Sequence, residues 1–203
     1  MRIALGVLLV SVLTRLAGAQ QAVLPERLGP GTRASIERLA DSLRSVGLPT
    51  QPLYAKAAEG VLKGADDSRI VAAIRTLARE LGEARAALGD ESNDAELIAG
   101  ASALHAGAPP ATLRRLRGSG GSRRPKGTLA VPLVVLADLA ARGIPATVAG
   151  ASLEALALRN ASDDQFTALR AAIERDIQAG RPPADATTAR TRALLGAMEG
   201  RRP

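Results

Sequence analysis

The single histidine of this chain, His105, follows Ser102 by three residues. On a helix that spacing is one turn on one face. A serine next to an imidazole is the start of a nucleophilic pair, in which the ring takes the hydroxyl proton. The sequence supplies no identifiable group to orient the ring and no oxyanion donors, so the expected role of His105 is a different one. It is read as the residue that ends a helix, where its partial positive charge is favourable. A metal role needs companions, and the chain has no cysteine, no second histidine and no H-E-x-x-H pattern.

Carboxylates occur in pairs at Asp66-Asp67 and Asp163-Asp164. Paired acids can share a proton or hold a metal, but both pairs fall where a helix should begin and a cap is wanted. Asp67 is the expected cap of the helix that follows it. The run "DESND" spaces Asp90, Ser92 and Asp94 like the start of a calcium loop. Ala95 stands where that loop needs glycine and Ala101 where it needs the bidentate glutamate. Asn93 and Glu96 are instead spaced as a capping box.

The stretch "RGSGGSRRPKGT", Arg117 to Thr128, is rich in glycine and cations. A Walker loop would put lysine after its second glycine and follow a strand. Here Lys126 precedes Gly127, and "ATLRRLR" before the stretch reads as a helix. A dinucleotide fingerprint fails because Arg123 stands where the third glycine belongs. What remains is charge. No acid occurs from Leu97 through Ala137, while Arg114, Arg115, Arg117, Arg123, Arg124 and Lys126 lie close together. These six are the candidate contacts for an anionic lipid head group or envelope polymer, bound electrostatically and in a salt-dependent way. The alternative is a solvated linker kept extended by its own charge.

The elements that would position these residues are all helical. Ile36, Leu39, Leu43 and Val46 share one helical face, and so do Ile70, Ile74, Leu77 and Leu81. Leu97, Ala101 and Leu104 form a third stripe, and Phe166, Leu169, Ile173 and Ile177 a fourth. No run alternates with the period of a strand, so the fold class is all-α. The punctuation between stripes repeats as "VGLP", "KGADD", "AGAPP", "RGIP", "RNASDD" and "AGRPP". Glycine or asparagine accepts the left-handed conformation after a helix, and proline or a capping acid suits the next start. Short antiparallel helices joined by G-x-P type turns follow, as a bundle or hairpin array.

A shift of 96 residues sets Gly47 on Gly143, Pro49 on Pro145, Leu62 on Leu158, Lys63 on Arg159, Asp67 on Asp163 and Arg79 on Arg175. Residues 32–82 and 128–178 are therefore read as two copies of one three-helix unit. The expected organisation is a signal peptide at 1–19 and a flexible lead at 20–31. Unit one with additional helices follows at 32–116, then the basic linker at 117–127. Unit two with a C-terminal helix occupies 128–197, and a tail closes the chain at 198–203.

The signal peptide rests on Arg2, the apolar run Ile3 to Leu13, and Ala17-Gly18-Ala19 before a cut ahead of Gln20. The run is too short to span a bilayer, and no later segment is long and apolar enough to do so. Export to the periplasm or beyond, without disulfides, is the expected address. With Tyr54 and Phe166 as the only aromatic residues, stacking on sugars or bases is disfavoured. A net charge of +7, carried mostly by arginine, can reflect genome composition as well as a partner. A signal followed by Ala- and Leu-rich helices with G-x-P turns resembles uncharacterised exported bacterial helical proteins. That resemblance implies no activity and carries over no functional residue. The expectation is a non-enzymatic structural or interaction module without a cofactor. Its partner would be another protein or an anionic lipid or envelope polymer, and not a specific nucleic-acid sequence.

Overall fold

The computed structural model describes residues 24–119 and 129–200. The signal peptide, the basic residues Arg123, Arg124 and Lys126, and residues 201–203 of the tail lie outside them. Among the described residues there are nine helices and no strand: α1 Pro30–Ser45, α2 Gln51–Leu62, α3 Asp67–Leu88, α4 Asp94–His105, α5 Pro110–Ser119, α6 Ala130–Ala141, α7 Ala146–Leu158, α8 Asp163–Gln178 and α9 Pro183–Glu199. The all-α reading holds.

Each of the six repeated turns carries one residue in the left-handed region: Gly47, Gly64, Gly107, Gly143, Gly180 and, uniquely without glycine, Asn160. Asn160 stands 96 residues after Gly64, with φ of 56°. Asparagine tolerates this region better than other side chains because its amide can bond locally. The two stretches matched by the shift therefore turn at the same step with different residues. Helix boundaries coincide as well, at Ser45 and Ala141, Leu62 and Leu158, and Asp67 and Asp163.

Caps account for the starts. Asp66, not Asp67, caps α3 by accepting from the Arg69 N–H at 2.8 Å. Asp67 reaches out of the helix and accepts from Gly29 N–H at 2.9 Å. That bond helps anchor the lead, where Leu24 and Leu28 are buried and Arg33 bonds the Pro25 and Leu28 carbonyls. The stretch expected to be flexible is thus packed from Leu24 onward. At α8 the cap is Ser162, in a reciprocal box with Gln165. Asp163 and Asp164 fall in the first turn, where negative charge favours the helix dipole. The Asn93–Glu96 capping box of α4 is present as expected.

Packing follows two rows. Helix α3 lies against α1 and α5, and α7 against α5 and α9, which makes one row of the odd-numbered helices. In the other row α6 lies between α4 and α8. The rows are stitched by α2 on α3, α3 on α4, α6 on α7 and α8 on α9. A single core of Leu, Ile, Ala, one Val and one Phe runs from Leu24 to Ala186. The four apolar stripes supply much of it, although Val46 is 63% exposed because α1 ends at Ser45 and the chain turns there. Because the copies are five helices apart, α1 and α3 stand in the odd row while α6 and α8 stand in the even one.

A missing side chain lets neighbours within the odd row approach closely. A Cβ placed on Gly150 of α7 would lie 2.5 Å from the Thr112 methyl of α5, and Thr112 is 1% exposed. The α5–α7 crossing is set by the absence of a side chain at that point.

Candidate functional site

His105 is the last residue of α4 and Ser102 lies one turn before it, as the spacing implied. Ser102 Oγ donates to the Ile98 carbonyl at 3.0 Å. The group that orients the imidazole was not visible in the sequence: it is Glu80 of α3. Nδ1–H of His105 donates to Glu80 Oε1 at 3.1 Å. The Glu80 side chain is 9% exposed and the His105 side chain 69%, so a buried acid lies beneath an exposed ring. Burying an ionised carboxylate is costly unless both oxygens find donors.

These residues line a cavity of about 300 Å³ with Lys56 of α2 and Ala73, Thr76 and Leu77 of α3. The reason for the space is in the packing. Helices α2 and α4 both lie on α3, yet they are not among the closely packed pairs. A gap over α3 results, with Glu80 in its lining. Lys56 Nζ bonds Glu59 at 3.0 Å, and Lys63 bonds the same carboxylate. Hydrogen bonds first from Lys63 and then from Lys56 hold the Glu59 carboxyl down at about 2.

The sequence-level copy of Glu80 is Asp176 in α8, 96 residues on. Asp176 is buried too, but its oxygens are covered. Arg190 of α9 donates from Nε at 2.9 Å and from Nη2 at 2.5 Å, and Arg181 adds a bond at 3.0 Å. The hydrogen-bonded Arg190 guanidinium is the main cause that holds the Asp176 carboxyl below its ordinary range. Here α9 packs on both α7 and α8, so the gap found beside Glu80 is closed over Asp176. An open groove of about 720 Å³ lies further along, between α7 and α9. It is lined by Thr147, Ser152, Thr188, Thr191 and Arg192 with Val148 and Leu195.

Of the six candidate polyanion contacts, three are described, and the structure disperses them. Arg114 is exposed. Arg115 bonds Glu154 of α7 at 3.2 Å. Arg117 bonds Glu96 at 2.8 Å and Ser92 at 3.0 Å. Helix α5 continues to Ser119, so the first three residues read as linker are helical. Glu96 was legible only as a capping residue. It is fully buried, and its second oxygen accepts from the Leu129 N–H at 2.9 Å. One carboxylate therefore ties the end of α5 to the start of α6, across the intervening segment. Its partners lie 21 and 33 residues away, and no local pattern could indicate them.

Among the described residues no three potential metal ligands come together, and no helix is long and apolar enough to cross a membrane. No family model, no curated protein and no solved structure matches this chain.

Proposed function

We propose that this chain is an exported, non-catalytic interaction module that binds another protein through the faces of its helix array. The observation that carries this reading is the open groove between α7 and α9 at one end of a two-row array. Stacked helical hairpins present such grooves to helices or extended peptides without any catalytic motif. Its lining suits a peptide: the Thr147 hydroxyl offers a hydrogen bond, Thr188, whose hydroxyl donates to the Ala184 carbonyl, keeps acceptor capacity, Val148 and Leu195 offer apolar contact, and Arg192 offers a cation. The Ser102 hydroxyl bonds the backbone of its own helix, which supports a non-catalytic reading of that pair.

The alternative is electrostatic binding of anionic lipid or envelope polymer through Arg114, Arg115, Arg117, Arg123, Arg124 and Lys126. Internal pairing of Arg115 and Arg117 weighs against it. A photo-crosslinking residue at Thr188 should capture one defined partner in intact cells, and the same residue at the exposed Arg38 of α1 should not. Val148→Arg should abolish that capture while the helical signal is kept. Equal capture from both positions overturns the groove reading. Arg123, Arg124 and Lys126 changed together to Ser should leave partner capture intact. Loss of salt-sensitive retention on anionic vesicles in that variant would favour the alternative. Amino-terminal sequencing of the mature protein tests export, with Gln20 as the expected first residue.

A further inference from the structure

The two buried acids at equivalent positions are satisfied very differently. Asp176 has a guanidinium across both of its oxygens. Glu80 has one polar partner among the described residues, the ring N–H of His105 on Oε1. Among the described residues its second oxygen has no hydrogen bond, although the side chain is nine-tenths buried and lines a cavity. An ionised carboxylate offers about four acceptor sites and is well matched to the fork of a guanidinium. That oxygen opens on the cavity rather than being sealed in protein, so a donor reaching it exchanges a hydrogen bond with solvent for one with a ligand.

We infer that the cavity between α2, α3 and α4 is a binding site for a guanidinium group, which takes on Glu80 the place that Arg190 holds on Asp176. The comparison within the molecule supplies the ligand chemistry. In one copy the neighbouring helix α9 delivers the arginine. In the other the neighbouring helix α4 delivers only His105, and α2 stands off from α4 and leaves the space open. The size agrees: about 300 Å³ is at the small end of ligand cavities and admits a guanidinium with its aliphatic stem. Leu77, Ala73 and Ala101 form the apolar wall for that stem. Lys56 also lines the cavity, with its charge offset by Glu59.

The guanidinium can come from a free compound or from the arginine side chain of another protein. Calorimetric titration of the mature full chain separates these sources, with agmatine, L-arginine and the blocked peptide acetyl-Gly-Arg-Gly-amide as probes and L-citrulline as the neutral control. Saturable binding of at least one guanidinium probe is expected, with citrulline weaker by about tenfold or more. Binding of agmatine or arginine but not the peptide assigns a free compound. Peptide binding at equal or greater strength assigns a protein side chain. Glu80→Gln should weaken binding by about tenfold or more. Ala73→Leu, which fills the cavity and keeps the acid, should abolish binding and decides the matter if Glu80→Gln loses its helical signal. Absence of binding by every guanidinium probe overturns the inference. So does binding that survives Ala73→Leu unchanged, or citrulline binding as well as arginine.

Discussion

Unit one, α1 to α3, and unit two, α6 to α8, share their turns, their boundaries and a buried acid, yet they pack differently. Helix α2 lies mainly on α3, at one end of the array, whereas α7 lies on α6 and between α5 and α9. The difference comes from position in the stack. Helix α9 packs on α8 and brings Arg190 to Asp176, while α2 and α4 stand apart over α3 beside Glu80. The same local chain thus yields a sealed ion pair at Asp176 and an open cavity at Glu80. The stretches matched by the 96-residue shift fold back on themselves alike, while the helices around each decide what it meets.

The sharpest way to break the comparison is to test whether the units unfold together. Phe166 and Ile70 hold equivalent positions and are both buried. Truncation to Ala should cost about 4 kcal/mol for Phe166 and about 3 kcal/mol for Ile70. Because one core joins the units, urea unfolding should show a single transition in both variants. Two separate transitions in Phe166→Ala would mean that unit one stands without unit two.

Glu96→Ala removes the carboxylate shared by Arg117 and Leu129 and should cost about 3 kcal/mol, the usual consequence of breaking a buried pair from one side. Chemical denaturation measures it, and a loss below 1 kcal/mol would mean that the join between α5 and α6 is held by packing alone. Gly150→Ala should destabilise by about 1–2 kcal/mol, because the close approach to Thr112 outweighs the higher helix propensity of alanine. A stabilised variant would show that α5 and α7 can separate freely.

The mildest expected change concerns the acids themselves. Arg190 holds the Asp176 carboxyl below its ordinary range. The stability that this pair contributes is present above the unfolded-state value of about 4 and lost as pH falls through the folded value. Asp176→Asn should therefore be less stable than the parent at neutral pH, and the gap should narrow as pH drops below about 4. Glu80→Gln, with one hydrogen bond to lose, should change neutral-pH stability less than Asp176→Asn does. Thermal melts across pH check both, and equal losses would remove the contrast between the two sites.

Much of the architecture was readable along the chain because its causes are local. Left-handed residues after seven of the described helices, a proline or polar residue at the next start and four apolar stripes made the helical class and the six repeated turns legible with little reference to the rest of the fold. Even Asn160 replaces Gly64 within the same rule. The reading stopped at Val46, which continues the periodicity but sits past the last helical turn of α1. It also stopped at the caps of α3 and α8, where two polar residues compete and geometry chooses Asp66 and Ser162.

The candidate site was half legible. His105 and its place at the end of α4 followed from spacing, as did the capping role of Glu96. Glu80 did not, although the 96-residue shift that pairs Arg79 with Arg175 pairs the next two residues as well. The acid match becomes informative only when one partner is seen covered and the other open. The sequence by itself determined that the chain would be helical, where it would turn, and that two of its stretches are alike. Only the tertiary structure decided which helices lie side by side, because a contact across 25 residues depends on how rows stack rather than on any local periodicity. From that stacking come the buried join at Glu96, the sealed Asp176 and the cavity at Glu80.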